Sequence, residues 1–268
     1  GRELWPDIFL HKSPAPTRGL VRLGTHDIAK KTEWLLGHAD GIVAVSSGYL
    51  KWALKRAGRE EGPCDRVLPL GYRAPEHTVN YKELPSKLLA IAPRLQGRIL
   101  ATFTGSFGHS YDLMTVCDAA SRLVAAGRDD IHIIIAGDGE RRAAIEKRIA
   151  CLPNVTLLGW LEKEEMDALL DISDMGLVCC VSVADTLPNK VYQYLAAGLP
   201  LLSSLVGEAE SMLAATDTGI SYTAGDAGSL VKALCCLADD TDRRRRQAVN
   251  ARRLFQDQFN AITLDREY

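Results

Sequence analysis

The residues most suited to chemistry lie in one run, 185–200, at an expected strand-to-helix junction. Asp185 precedes the helix, Lys190 falls in its first turn and Gln193 lies three residues further on. A helix start offers free backbone N–H groups and the positive end of the helix dipole, which together bind phosphate. The dipole disfavours a lysine there unless an anion is bound nearby. The run therefore predicts a phosphate site at which Lys190 supplies the positive charge.

Asp185 and Gln193 are eight positions apart, one in the loop and one in the helix. On this spacing we expect both side chains to reach hydroxyl groups of a ligand whose phosphates rest between them. The alternative is structural: Asp185 caps the helix, Lys190 is a surface lysine and Gln193 is exposed on the helix. The residues alone leave both interpretations open.

Two glycine-rich turns follow expected strands, one within 104–109 and one within 135–140. Their backbones could approach a pyrophosphate, although neither turn has the third glycine of a dinucleotide fingerprint. Tight structural turns are an adequate alternative, and His109 either touches substrate or faces solvent. Ligands of open α/β sheets collect at the carboxyl ends of the strands. Both turns and the run at 185–200 lie at such ends, which favours one shared ligand site.

Short β-rich runs alternate with amphipathic stretches, and this alternation predicts βαβ units with a parallel sheet. Six strands are expected at 98–104, 131–136, 154–158, 175–180, 200–203 and 219–222. Six helices are expected at 111–126, 140–150, 162–172, 188–197, 208–215 and 226–238. The fold class is therefore α/β, with a doubly wound domain at 98–240.

Two regions precede this domain. Residues 1–75 hold too few strands for an independent sheet and are interpreted as a partial N-terminal domain. Pro85 and Pro93 punctuate residues 76–97, which are interpreted as a linker with at most one helix. We infer that part of this first domain is missing.

Residues 241–268 are interpreted as a helix that docks on the other domain. Its apolar stripe consists of Ala248, Ala251, Phe255, Phe259 and Ile262. Six arginines flank the stripe, at 243–246 and 252–253. A solvated helix face is the ordinary interpretation of such a run, and attraction to an anionic membrane surface is the alternative.

Composition excludes several function classes. The 268 residues are 47% hydrophobic and 25% charged with a net charge of −2, which argues against nucleic-acid binding because such domains are usually basic. No apolar run reaches the ~18 residues of a membrane span. The seven cysteines include no Cys-x-x-Cys pair, so their spacing predicts no metal site.

The motifs together resemble family 4 retaining glycosyltransferases of the GT-B fold, most closely the branch that builds bacterial surface polysaccharides. The resemblance rests on Gly137-Asp-Gly139, Asn154–Gly159, Ser173–Gly176, Leu187-Pro-Asn-Lys190 and Tyr194–Pro200, with Leu4–Asp7 and Ala39–Ser46 in the first part. It is strong over 98–225 and weaker over 1–73. It implies two Rossmann-like domains, of which the second is complete and the first is partial.

The resemblance also implies roles for single residues. The C-terminal domain would bind the nucleotide sugar, with Asp185 on sugar hydroxyls and Gln193 on the ribose, where the family commonly has glutamate at both positions. The family's frequent Arg/Lys pair is missing from 105–112. The diphosphate would therefore rest on Lys190 and on backbone near Gly105, Ser106, Leu187, Pro188 and Asn189. The turn at Gly137 and loop His109 would adjoin the donor, and Leu158, Gly159 and Trp160 would lie near the base.

The expected function is a hexosyltransferase that moves a sugar with retention from a nucleotide diphosphate sugar, most readily a UDP-sugar. The acceptor would be a saccharide or a lipid-linked one, in the cytoplasm or at the inner face of the membrane. The family usually works without a metal or cofactor. A chain lacking part of its acceptor domain is expected to bind donor without turnover. A nucleotide-sugar 2-epimerase of the same fold and a degenerate, non-catalytic binding protein are the alternatives.

Overall fold

In the computed structural model the chain separates into two units, Gly1–Leu70 and Gly71–Tyr268. Residues 6–74, 85–181 and 187–264 are described. Asp185 and residues 76–84 of the expected linker lie outside this range.

The first unit contains more helix than the sequence indicated. Its elements are α1 (Asp7–Lys12), a 3₁₀ turn (Ala15–Thr17), α2 (Arg18–Gly24), α3 (His26–Gly37), β1 (Val43–Ala44), α4 (Ser47–Ala57) and β2 (Arg66–Val67), with β1 and β2 parallel. The Ser46 hydroxyl caps α4, since it accepts the N–H of Tyr49 at 3.2 Å. Asp65 accepts the Ile42 N–H at 2.7 Å, and its hydrogen bonds to Arg59 hold the pKa of this carboxyl well below its usual range.

The second unit is built on one six-stranded parallel sheet. The strands are β3 (Ile99–Thr104), β4 (Ile131–Ala136), β5 (Val155–Leu158), β6 (Met175–Val178), β7 (Leu201–Ser203) and β8 (Gly219–Ser221). They lie in the order β5-β4-β3-β6-β7-β8, which is the doubly wound arrangement. All six predicted strands are confirmed, with ends that shift by two residues at most, and so is the α/β fold class.

Helices cover both faces of this sheet. They are α5 (Ser86–Leu95), α6 (Leu113–Ala125), α7 (Arg142–Ile149), α8 (Lys163–Asp171), α9 (Asn189–Ala197), α10 (Glu208–Thr216), α11 (Ala227–Asp239), α12 (Thr241–Gln258) and α13 (Ala261–Leu264). Alternate residues of β4 face opposite layers: Ile133 and Ile135 pack with α6 and α11, whereas Ile134 packs with α5 and α8. This burial on both faces explains why β4 is apolar almost throughout.

The segment interpreted as a linker contains a core element of the second unit. Within it, α5 buries Leu88 completely and leaves Leu95 6% exposed, both in the cluster that includes α8. Pro93 lies inside α5 and Pro85 sits at its N-cap. The sequence allowed at most one helix in this segment, and α5 is that helix. Pro85 marks its start, where proline is tolerated.

The C-terminal stripe packs within its own unit, where the sequence suggested a partner in the other domain. Ala251 and Phe255 of α12 are fully buried, in a helix that packs against α9. The Phe259 ring lies 5.0 Å from that of Tyr192 on α9. The surface of α9 thus supplies the partner that the sequence pattern could not identify. Ile262, the last residue of the expected stripe, is exposed.

Most of the flanking arginines have structural partners. Arg244 donates to the Leu237 and Ala238 carbonyls at the end of α11. Arg246 pairs with Asp217, and Arg252 donates to the Ala197 carbonyl at the end of α9. The arginines therefore tie α12 to neighbouring elements. Among the described helices, none is both long enough and apolar enough to cross a membrane.

Candidate functional site

The strand order creates a crevice beside the central strand β3. The chain leaves β3 toward β4 on one side and leaves β6 toward β7 on the other, so the connections diverge between β3 and β6. Such a switch point is where open α/β sheets bind ligands, outside the carboxyl ends of the strands. Two of the segments singled out in the sequence meet there: the turn after β3 and the first turn of α9.

Lys190 lies buried at this switch point. Its side chain is 4% exposed, and its Nζ lies 3.7 Å from the Phe103 ring centroid and 3.4 Å from that of Tyr111. Within the described part of the chain, Nζ has no hydrogen-bond partner. Burial lowers the pKa of Lys190 to about 8, although the nearby Cys179 and Cys180 act in the opposite direction. The two aromatic rings attract the ammonium group through cation–π contacts. They are not conventional acceptors for its three N–H donors.

The start of α9 offers hydrogen-bond donors next to this lysine. Pro188 is the N-cap residue and provides no side-chain cap, while Leu187 and Pro188 are half-buried and Asn189 is exposed. The first N–H groups of a helix have no partner within it. Among the described residues, the carboxyl end of β6 and the turn after β3 therefore border helix N–H groups that have no partner within α9 and a cation that has no anionic partner, which suits an anionic ligand.

The two glycine-rich turns pack against each other. The Gly105 N–H donates to the Ala136 carbonyl at 3.0 Å, and the Phe107 N–H donates to that of Asp138 at 2.8 Å. A Cβ on Gly137 would lie 1.9 Å from the Gly105 oxygen, so only glycine permits this approach. The N–H of Gly137 already donates to the Leu158 and Gly159 carbonyls. Gly137 thus supports the turn, and its N–H is not available to a ligand.

Gly105 and Ser106 border Lys190. A Cβ built on Gly105 would lie 3.2 Å from the Lys190 Nζ, and the φ of Gly105 is 140°. Ser106 is exposed beyond it. Glycine at 105 therefore leaves open the space directly beside the amine. This places three of the predicted site residues together.

His109 lies at the outer edge of the same turn. Its side chain is 81% exposed, and its Nε2 is 3.4 Å from the Glu140 carboxylate, which is also exposed. The predicted alternative of a solvent-facing histidine fits this arrangement.

The predicted base-contacting residues follow β5. Leu158 is buried at the strand end, Gly159 is half-buried and Trp160 is 64% exposed. β5 is separated from β3 by β4, so its end lies two strand spacings from the Gly105 turn, roughly 10 Å. That separation matches the reach from a diphosphate to the base of the same nucleotide.

Gln193 lies half-buried on α9. Its predicted counterpart Asp185 lies outside the described residues, so their pairing around a ligand stays a prediction.

Sequence reasoning missed the aromatic surroundings of Lys190. Phe103 is the residue before the last in β3, and Tyr111 was expected only as the first residue of a helix. Tyr194 is fully buried and accepts a hydrogen bond from the Thr104 N–H at 2.8 Å. A signal for Tyr194 was present, because residues four apart share a helix face and Tyr194 is four after Lys190.

Comparison with known proteins gives one family. The family model described as "Glycosyl transferases group 1" matches residues 98–240, which covers the whole range from β3 to α11. No curated protein gives a significant sequence match.

Several solved structures share the fold. HepE from Anabaena, solved in complex with UDP and glucose, superposes with a TM-score of 0.71 at 15% identity, over 89% of this chain and 65% of its own. WaaG, a glycosyltransferase involved in lipopolysaccharide biosynthesis, gives 0.63 at 16% identity, over 84% and 60%. A glycosyltransferase from Rickettsia africae gives 0.70 at 16%, over 90% and 65%. The GT-B fold assignment is thereby confirmed, and the chain spans less than two thirds of each of these three structures.

Proposed function

The chain belongs to the group 1 glycosyl transferases, and from this premise we propose that it binds a nucleoside diphosphate sugar and transfers the sugar to an acceptor hydroxyl with retention. The observation that carries this proposal is the buried, unneutralised Lys190 at the switch point. The Lys190 amine has no hydrogen-bond partner among the described residues, so a bound anion would stabilise its charge. The first N–H groups of α9, which have no partner within the helix, would bind the same anion.

The proposed chemistry is stabilisation of a leaving group. In the transfer, the bond between the anomeric carbon and the diphosphate oxygen breaks, and a bond to the acceptor oxygen forms as that hydroxyl gives its proton to the departing diphosphate. Negative charge then develops on the diphosphate. Lys190 and the N-terminus of α9 would stabilise this charge, and their fixed positions mean that little reorganisation is needed. Burial strengthens the effect because water screens it less.

The remaining residues are assigned by their positions. We assign the sugar hydroxyls to Asp185 and the ribose to Gln193, whose amide oxygen can accept a hydroxyl hydrogen bond without charge. Trp160 and the neighbouring end of β5 would contact the base. The transfer is proposed to need no metal or further cofactor.

We further propose a UDP-sugar as donor, since HepE was solved with UDP-glucose, and a saccharide or lipid-linked acceptor. A role in surface polysaccharide synthesis is supported by the likeness to WaaG. Such a role places the protein in the cytoplasm or at the inner face of the membrane.

Calorimetric titration with UDP, GDP, TDP and ADP tests the donor site. We expect selective binding of UDP, weakened about tenfold or more by Lys190→Met because a charge-assisted contact is lost. Lys147→Met is the matched control, because Lys147 is an exposed lysine on α7. Binding that is indifferent to Lys190 would contradict the proposed site.

A second assay separates the possible activities. Incubation with UDP-sugars and saccharide acceptors should release UDP only when an acceptor is present. This assay uses a version of the protein with a complete first domain, because the chain alone is expected to bind donor without turnover. Conversion of the nucleotide sugar without acceptor would indicate a 2-epimerase. Tight UDP binding together with no reaction in either assay would indicate a binding protein, which the glutamine at position 193 favours over an epimerase.

A further inference from the structure

The central strands β3 and β6 pair over only part of their length. β3 pairs with β4 along all six residues, from Ile99 to Thr104. Its pairing with β6 covers two positions, Ala101 with Met175 and Thr102 with Gly176. Beyond that point the two strands share no paired positions, which leaves a gap in the ladder of backbone hydrogen bonds. This gap is the crevice in which Lys190 lies.

Tyr194 occupies the gap between the two strands. Its ring lies against the backbone of β6, since a Cβ on Gly176 would be 2.4 Å from the Tyr194 Cδ2. Gly105 directs its N–H toward β4, so Thr104, one residue earlier, directs its own toward the gap. There the Tyr194 hydroxyl accepts the Thr104 N–H at 2.8 Å and lies 3.2 Å from the Thr104 Oγ1. A side chain thus replaces the strand that would satisfy this backbone group.

Lys190 and Tyr194 are four residues apart on α9 and project from the same helix face. Tyr194 fixes Thr104, the last residue of β3, while Lys190 lies against Gly105, the next one. One helix face therefore holds both the amine and the strand end that carries the glycine turn. We propose that Tyr194 is a positioning residue, which sets the distance between the Lys190 amine and the Gly105 turn and so shapes the diphosphate site. This inference rests on the proposed function.

The test removes the hydroxyl and keeps the ring. Tyr194→Phe leaves the contact with Gly176 and deprives the Thr104 N–H of its acceptor. We expect UDP to bind about tenfold more weakly, and the Thr104 amide to exchange its hydrogen faster. In a Lys190→Met background the same change should alter UDP affinity less than about twofold, because the positioned amine is gone.

Tyr192→Phe is the matched control, since it removes another buried phenol oxygen from α9 while its ring stays on Phe259. It should leave UDP affinity unchanged. Gly176→Ala provides a second variant if Tyr194→Phe does not fold. The added methyl group displaces the ring while every hydroxyl remains, and the same loss of affinity is expected.

The outcomes separate this inference from the one on which it rests. If the wild-type chain binds no nucleoside diphosphate, the proposed function fails. If it binds UDP and Tyr194→Phe binds equally well, the positioning role is refuted. Equal losses with and without Lys190 would show that Tyr194 supports the fold in general and does not act through the amine.

Discussion

At the scale of single residues, the site is dominated by an amine held where charge is unfavourable. Lys190 is buried between Phe103 and Tyr111, and its pKa is lowered to about 8 because burial penalises the charged form. A cation in such a place weakens the unliganded fold and strengthens binding of an anion. Removal of this charge should therefore raise the stability of the unliganded protein and weaken the binding of an anion.

Lys190→Met should stabilise the unliganded protein and weaken UDP binding. The pKa of Lys190 in the folded state lies below the ordinary 10.5. Below pH 8 the lysine is charged and its full destabilising free energy acts on the fold. This penalty decreases as the pH rises from 8 toward 10.5. At pH 7 we expect a gain of roughly 1–3 kcal/mol in the free energy of unfolding. Thermal unfolding at pH 7 and pH 10 checks this, and a variant less stable at pH 7 would contradict it.

UDP affinity should also depend on pH through Lys190. The bound diphosphate favours the charged amine, which the empty site loses above pH 8. The diphosphate is itself already ionised above pH 7. The affinity for UDP should fall about tenfold between pH 7 and pH 9, and binding should take up protons. Calorimetry in buffers of different ionisation enthalpy measures this proton uptake. Tyr111 stays neutral in this range because burial raises its pKa to about 12. If the UDP affinity of the wild type does not change with pH, or if that of Lys190→Met changes equally, Lys190 is not the cause of the pH dependence.

At the scale of elements, the two turns after β3 and β4 act as one unit because their backbones touch. Gly137→Ala would force a Cβ to within 1.9 Å of the Gly105 oxygen, at a φ of 138° that side chains rarely adopt. We expect a loss on the order of 2–4 kcal/mol, together with weaker UDP binding. Gly108→Ala is the control, since a Cβ there meets nothing within 4 Å. Unfolding in urea measures both variants, and equal stabilities would refute the packing role.

The arginines of α12 offer a second comparison between elements. Arg244 donates to the Leu237 carbonyl at 2.6 Å, whereas Arg245 is exposed and has no described partner. Arg244→Met should therefore cost about 1–2 kcal/mol, and Arg245→Met almost nothing. Thermal unfolding of the two variants tests whether the arginines at 243–246 tie α12 to its neighbours or only form a solvated helix face. Similar midpoints for both would contradict it.

The elements of the second unit were predictable because each is set by local pattern. Strands such as Ile131–Ala136 are continuous apolar runs bounded by turns, and the helices have an apolar stripe. The position of Lys190 in the first turn of a helix was also predictable, whereas a phosphate bound beside it stays a proposal. The role of Tyr194 was not, because it depends on where β3 and β6 stop pairing. That property of the sheet, like the packing of α12 on α9, requires contacts between residues far apart in sequence.

At the scale of the whole molecule, the second unit contains a complete sheet and every described residue of the proposed donor site. Residues 71–268 expressed alone should therefore fold and bind UDP within about tenfold of the full chain. Circular dichroism and calorimetry test this. A fragment that folds but has lost UDP binding would show that the site needs residues 1–70. In its described residues the first unit has a two-stranded sheet only, and such a sheet is marginal in isolation.

The short pairing between Tyr72 and Asn260 has a topological consequence. The Tyr72 N–H donates to the Phe259 carbonyl at 2.9 Å, and the Ala261 N–H returns to the Tyr72 carbonyl at 3.1 Å. The first residues of the unit thus meet the residues that follow α12. A segment whose two ends meet can be moved between proteins as a cassette, or reopened elsewhere as a circular permutant, without disturbing its interior.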